Sequence, residues 1–189
     1  MKVGILALQG DFREHTEMLK KIGVEYVLIK LPKHLKSVGR LIIPGGESTT
    51  IWKLLSIYDL INPIRNRVKE GMPIWGTCAG AILMASYIND GLPNQNSLQL
   101  MEITARRNAF GSQLDSFETD LKIKQIGKAS LHVIFIRAPI LELPGKNVEI
   151  LAKINNKNIV AAKQDKMIVT CFHPELTNDT RFHEYFLSL

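Results

Sequence analysis

Two short segments could do nucleophilic chemistry together. Gly76-Thr77-Cys78-Ala79-Gly80 places a cysteine between two glycines, where a strand-like apolar run meets a helix-like one. A nucleophile elbow needs that context, because so sharp a turn leaves no room for side chains beside it and aims the amides of the following helix at the sulfur. A buried structural cysteine next to a glycine-rich turn would show the same residues, since free cysteine packs as a small hydrophobe. The second segment is His173-Pro174-Glu175. In extended backbone, side chains two apart point the same way, so the Glu175 carboxylate can hold one imidazole nitrogen of His173 while the other faces a nucleophile. Alone, the tripeptide also suits a solvent-exposed histidine. Set beside a cysteine elbow at a neighbouring strand end, it supplies base and orienter. Zinc on Cys78, His173 and Glu175 is a competing reading that lacks the paired close spacing of zinc motifs.

A third segment, Pro44-Gly45-Gly46-Glu47-Ser48-Thr49-Thr50, leaves one apolar run and opens another. Its consecutive glycines permit backbone conformations closed to other residues, so an N–H there can line an oxyanion site beside Cys78, with the Ala79 N–H as second donor. Ser48 or Thr49 is expected to cap the helix that follows, and a capped helix start can bind an anion as well.

Elements that could position these residues alternate through the first half. Strands are expected at residues 3–8, 24–29, 41–43 and 72–75. Between them lie helices with apolar stripes at Phe12, His15, Met18, Leu19 and Ile22 and at Ile51, Leu54, Leu55 and Tyr58, and a helix opened by Pro63. Residues 79–87 are expected to continue as a helix. This order implies a parallel sheet with helices on both faces and sites at the carboxyl ends of its strands. The second half is strand-rich, at residues 103–107, 117–123, 133–136, 148–154, 159–163 and 167–172, with hairpin-type turns at Asn155-Asn156-Lys157-Asn158 and Gln164-Asp165-Lys166. It reads as mixed or antiparallel, residues 89–99 as a polar loop, and residues 179–187 as a closing helix.

With 189 residues, 46% apolar and 22% charged, the chain can bury a core and reads as a single domain over 1–189. The formal charge of 24 − 18 = +6 favours acidic partners without specifying nucleic acid, for which no aromatic sheet motif, helix-turn-helix signal or dense basic run is present. Cys78 and Cys171 are too far apart in sequence to suggest a disulfide framework, which suits a reducing compartment, with the cytoplasm as the default expectation. Residues 71–89 carry no formal charge, yet their glycines, Pro73, Thr77, Ser86 and Asn89 read as a buried strand, turn and helix rather than a membrane span.

These motifs resemble the class I glutamine amidotransferases, and specifically the glutaminase subunits of pyridoxal 5′-phosphate synthases. The resemblance runs nearly end to end, through Leu8-Gln9-Gly10-Asp11-Phe12-Arg13-Glu14-His15, the three segments above, Arg107-Asn108-Ala109-Phe110-Gly111, Asp115-Ser116-Phe117-Glu118, Phe135-Ile136-Arg137-Ala138-Pro139 and the extension of the last segment through Leu176-Thr177. The cysteine elbow and the His-Pro-Glu segment are shared widely among class I glutaminases. The Arg-Asn-Ala-Phe-Gly and Phe-Ile-Arg-Ala-Pro segments narrow the choice to this subfamily.

The resemblance implies a three-layer α/β domain with a central mixed, largely parallel sheet flanked by helices. It makes Cys78 the nucleophile, His173 the base, Glu175 its orienter, and Gly46 and Ala79 the oxyanion hole. Gly46, Glu47, Ser48, Arg107, Ile136 and Arg137 match positions that hold L-glutamine by side chain or backbone. That fits the chemistry, because a free amino acid offers a carboxylate to arginine and an ammonium to glutamate or carbonyls. No metal or organic cofactor is implied. The implied partner is the synthase subunit, which receives ammonia and joins it to pentose and triose phosphates; neither nucleic acid nor membrane is implied. The chain departs from the pattern at Ser112, where arginine is usual, and around Gln99 and Glu102, where glycine and aspartate are usual. A peptidase or deglycase on the same scaffold and a non-catalytic regulatory or nucleic-acid-binding module are the alternatives, and glutamine turnover separates both from the glutaminase.

Overall fold

A computed structural model describes residues 2–91, 95–107 and 116–189. The first half alternates β1 (Val3–Leu6), α1 (Phe12–Lys21), β2 (Tyr26–Ile29), β3 (Arg40–Ile43), α2 (Ser48–Ile57), α3 (Ile61–Lys69), β4 (Ile74–Thr77) and α4 (Ala79–Met84). There follow β5 (Ala85–Asn89), β6 (Met101–Arg106), β7 (Ser116–Leu121), β8 (Leu131–Ile136), β9 (Ile140–Glu142), β10 (Glu149–Ile154), β11 (Asn158–Gln164), β12 (Met167–Thr170) and α5 (Arg181–Leu187). Ten of the strands form one sheet in the order β2-β1-β3-β4-β12-β11-β9-β6-β5, with β10 paired to β11; β7 and β8 form a separate ribbon. The pairs from β2 to β12 are parallel, as the βαβ order requires, and β12 to β11, β11 to β9 and β9 to β6 are antiparallel. The architecture is the expected mixed, largely parallel sheet flanked by helices.

Which helix covers which face follows from the strand period of two. On β4, Trp75 packs edge-on to His15 of α1 and His183 of α5 and lies 4.9 Å from the Phe182 ring, whereas a side chain at the next residue, Gly76, would meet the backbone of Gly80 in α4 at 2.5 Å. Helices α1 and α5 therefore share one face, and α4 lies on the other. Strands β1, β3 and β4 are buried on both faces, apart from the half-buried Arg40, which explains their predominantly apolar sequences.

Several expectations change, beginning with the strand expected over 72–75, which is Ile74–Thr77 and runs directly into the elbow. The helix over 79–87 ends at Met84, and Ala85–Asn89 is β5, paired in parallel with β6. Every residue of α4 is buried, so no polar stripe marks its end, while β5 from Ser86 onward alternates half-buried and exposed positions as a strand should. The three-residue β9, set between Pro139 and Pro144, is too short to announce itself. The hairpin turn after β10 is as expected, with Asn155 and Asn156 both at positive φ. Of the departures from the family pattern, Gln99 sits at φ 53°, where the usual glycine carries no Cβ penalty. The Glu102 side chain packs so close to Gly145 that a Cβ on that glycine would fall 2.6 Å from the Glu102 Cβ. Ser112 lies outside the described residues, as do Asn108, Ala109, Phe110, Gly111 and Asp115 of the two quoted motifs.

Candidate active site

Register on the sheet brings the two chemical segments together. Strands β4 and β12 are parallel neighbours with Thr77 opposite Thr170, so Cys78 leaves one strand end as Cys171-Phe172-His173 leaves the next. The Cys78 N–H donates to the Thr170 carbonyl at 2.7 Å, fixing the start of the elbow. Cys78 itself has φ 47° and ψ −101°, a conformation that L-residues adopt only when the surroundings enforce it. Those surroundings are tight: a Cβ on Gly80 would fall 2.1 Å from the Ile43 carbonyl oxygen, so both elbow glycines are sterically required. The Sγ points toward the Ile136 carbonyl, 3.7 Å away.

The His173 N–H donates to the Ile134 carbonyl at 2.8 Å, which ties this histidine to the β7–β8 ribbon. Its Nδ1 lies 2.8 Å from Glu175 Oε1. That contact is made through a 3-10 turn over Pro174–Leu176 and not through extended backbone, so the expected pairing holds for a different conformational reason. Burial alone would lower the His173 pKa, but hydrogen bonds to Cys78 and Glu175 outweigh it and raise the value to about 11. The imidazolium is thus the favoured state beside the sulfur. Gly45 lies close against this ring, since a Cβ there would meet His173 Cε1 at 2.5 Å and Asp11 Oδ2 at 2.8 Å.

The loop after β3 forms the opposite wall. Gly10, at φ 99°, lets the chain approach so closely that the Asp11 N–H reaches the Gly45 carbonyl at 3.1 Å. With that carbonyl engaged in a trans peptide, the Gly46 N–H points the other way. Gly46 has φ 150°, and the Gln9 side chain accepts from the next amide, Glu47, at 2.8 Å. The cap of α2 is Glu47, one residue earlier than expected: its carboxylate accepts from the Thr50 N–H at 2.8 Å and from the Thr49 hydroxyl. Burial pulls the Glu47 pKa up, but the hydrogen bonds from Thr49 and Thr50 more than offset it and keep the group anionic.

These parts enclose a pocket of about 590 Å³. Its lining includes every proposed site residue except Glu175, which stands buried behind His173: Cys78, Ala79, Gly46, Glu47, Ser48, Arg107, Ile136, Arg137 and His173 are all present. Arg137 has φ 44°, turning sharply after β8 at the pocket rim. Sequence reasoning missed Gln95 and Asp11. Gln95 accepts from Arg107 Nη1 at 2.6 Å and donates to Ser48 Oγ at 2.8 Å, so one amide holds two substrate-contact candidates. Arg107 also lies 3.5 Å from Glu47 Oε1. Asp11 contributes a carboxylate oxygen 3.6 Å from His173 Nδ1. Its signal was available, for Gln9-Gly10-Asp11 follows two residues after the end of β1. Asp11, His173 and Glu175 bring ligand-type atoms within 4.8 Å of one another. The cluster leaves out Cys78, and its histidine nitrogen and glutamate oxygen are already hydrogen-bonded to each other, an arrangement suited to proton handling.

Two expected outcomes arise here. Arg107→Ala should raise the KM for glutamine about 10- to 100-fold through a lost charge-assisted hydrogen bond, and Gln95→Ala should raise it less, about 5-fold, by releasing Arg107. Steady-state kinetics on folded variants check both, and an unchanged KM in Arg107→Ala would remove that arginine from the substrate site. The second concerns acid. Burial drives the His183 pKa down to about 3, while the unfolded chain binds a proton there near 6.5. Stability is therefore lost as pH falls below 6.5 and the loss levels off near 3, reaching about 2–3 kcal/mol at pH 4.5. Unfolding of His183→Leu should lose correspondingly less between pH 7 and 4.5, and parallel profiles would contradict this.

A thiol that must attack an amide needs a base beside it, an oriented carboxylate behind the base and N–H donors in front. Cys78 and His173 stand just beyond the ends of adjacent parallel strands of an α/β sheet, the placement expected of the class I glutamine amidotransferases. The chain belongs to the SNO glutamine amidotransferase family, whose sequence profile matches residues 5–189. It is 64% identical over the full length of both chains to the pyridoxal 5′-phosphate synthase subunit PdxT of Roseiflexus castenholzii, and 57% identical, again over both full lengths, to the PdxT of Herpetosiphon aurantiacus. A crystal structure of a glutamine amidotransferase superposes with a TM-score of 0.92 at 48% identity, covering 98% of this chain and 97% of the other. A second glutamine amidotransferase, from Thermotoga maritima, shares the fold at a TM-score of 0.64 and 14% identity, covering 100% of this chain and 83% of the other.

Proposed function

We infer that residues 1–189 act as one glutaminase domain that hydrolyses L-glutamine to L-glutamate and ammonia for pyridoxal 5′-phosphate synthesis. The observation that carries this is the β4–β12 register, which sets Cys78 and His173, with Glu175 hydrogen-bonded behind it, along one wall of a pocket whose other wall is Gly46, Glu47, Ser48 and Arg107. Arg107 takes the substrate carboxylate and Glu47 its ammonium, leaving the side-chain amide to reach the sulfur. Sγ attacks the amide carbon while the Gly46 and Ala79 N–H groups hold the oxyanion. His173 hands its proton to the amide nitrogen, ammonia leaves and a thioester remains. His173 then takes a proton from water as the hydroxide oxygen adds to the thioester carbon, and collapse expels the thiolate beside the imidazolium while the new carboxyl group gives its proton to solvent, leaving glutamate. Glu175 keeps the imidazole oriented and compensates its charge at each transfer. No step requires a metal or organic cofactor.

The partner in this reading is the synthase subunit, and pyridoxal 5′-phosphate is the product of the complex. Among the described residues no helix is long and apolar enough to cross a membrane, and we place the reaction in the cytoplasm, where both cysteines stay reduced. Gln9, Gly46 and Cys78 meet at the pocket, so a partner docking there acts directly on the oxyanion loop. The test is ammonia release from glutamine by the chain with and without the synthase subunit. Addition should raise kcat far more than it lowers KM. Equal activity of the lone chain would remove the gating while leaving the triad in place, and an absence of glutamine turnover in both would overturn the glutaminase reading.

A further inference from the structure

Behind the catalytic pair lies a buried polar chain that the reaction above does not use. His15 of α1 and His183 of α5 are both fully buried. His15 Nδ1 is 3.0 Å from His183 Nε2. On its other side, His15 Nε2 is 3.3 Å from Thr77 Oγ1 and 3.6 Å from Glu175 Oε1. Thr77 immediately precedes the nucleophile and Glu175 holds the base, so one imidazole touches both arms of the site. Trp75 meets both histidine rings edge-on, at 5.3 and 4.8 Å between centroids, and locks their planes.

Only one proton fits between the two imidazoles, which leaves two neutral arrangements. In the first, His183 Nε2–H donates to His15 Nδ1, and His15 carries its own proton on Nε2, facing Thr77 and Glu175. The unmet group is then a lone pair on His183 Nδ1, which has no hydrogen-bond partner among the described residues. In the second, His15 Nδ1–H donates to His183 Nε2. His183 then buries an N–H without an acceptor, and the His15 Nε2 lone pair faces a carboxylate. A buried orphan N–H is rarer and costlier than an orphan acceptor, and a lone pair against an anion is repulsive, so the first arrangement wins on both counts. Burial and the neighbouring His183 and His173 push the His15 pKa far down, consistent with a neutral ring. Burial also raises the Glu175 pKa, so each N–H aimed at that carboxylate helps to keep it charged.

We propose that His15, held by His183 in its neutral Nε2–H tautomer, is a positioning residue that fixes the Glu175 carboxylate beneath His173 and braces the nucleophile elbow through Thr77. This deepens the glutaminase reading and rests on it for its kinetic consequence, but the tautomer can be observed without turnover. Long-range nitrogen–proton correlation spectra of protein labelled with ¹⁵N-histidine should show His15 with its proton on Nε2, and His183→Leu should convert it to a tautomer mixture. A proton on Nδ1, or a cationic ring at neutral pH, would overturn the proposal. In kinetics with the synthase subunit present, His15→Leu should lose about tenfold in kcat with KM within roughly twofold of wild type, and His15→Gln, whose amide nitrogen can stand near the Nε2 position, should recover most of the loss. Equal activity of wild type and His15→Leu, or a loss carried by KM, would also overturn it. A wild type that turns over no glutamine would instead defeat the glutaminase reading, with the tautomer still measured on its own.

Discussion

Cys78→Ala is expected to lose glutamine hydrolysis by about 10⁵–10⁶ in kcat, the scale seen when a covalent nucleophile is removed from an assembled site. The fold should survive. The elbow is enforced by its neighbours, with Gly76 against Gly80, Gly80 against the Ile43 carbonyl and the Cys78 N–H on Thr170. Alanine also meets no greater penalty than cysteine at φ 47°. The sulfur borders the pocket, so truncation opens space already continuous with solvent and leaves no sealed cavity. Ammonia release measured beside thermal melting checks both halves, and turnover retained in folded protein would exclude a cysteine thioester.

Gly46→Ala should cost about 10²–10³ in kcat, the scale of one lost oxyanion donor, with a smaller effect on KM. Two features act at once. The residue sits at φ 150°, and a Cβ would fall 2.6 Å from Gln9 Oε1 and 3.0 Å from the Gly10 Cα. Gln9 is the acceptor for the Glu47 N–H and Gly10 is backbone, so relief of the clash breaks that hydrogen bond or shifts the loop proposed to carry the donor. Gly127→Ala separates strain from site geometry: Gly127 has a comparable φ of 139° but open space around it and no place in the pocket. Stopped assays of both variants should show kcat falling only at position 46. A Gly46→Ala enzyme with wild-type kcat would take the Gly46 N–H out of the oxyanion hole.

Local sequence made the site more legible than the sheet. Cys78, His173 and Glu175 announced themselves through residues adjacent in the chain, and the glycines around them through the turn they permit. That β12 inserts between β4 and β11, setting His173 next to Cys78, depends on pairing across about 95 residues of chain, and no local period encodes it. The same limit hid Gln95. In sequence it belongs to a polar loop, and only the fold places its amide between Ser48 and Arg107. His15 looked like one apolar-face residue of a helix, and indeed it is buried; its neighbour His183 lies 168 positions away. The early end of α4 was lost for a different reason, because a helix buried on every side shows no amphipathic boundary.

The central claim is that the sulfur of Cys78 makes the bond to the glutamine side-chain carbon. The most direct measurement is alkylation by a chloroketone analogue of glutamine in the presence of the synthase subunit, followed by peptide mass mapping. One equivalent should be found on the peptide containing Cys78 and none on Cys171, which is fully buried with its thiol pKa pushed well up by that burial. Excess glutamine should slow the modification in proportion to its occupancy of the pocket. An adduct on Cys171, or no adduct on Cys78 in a preparation that turns over glutamine, would contradict the account.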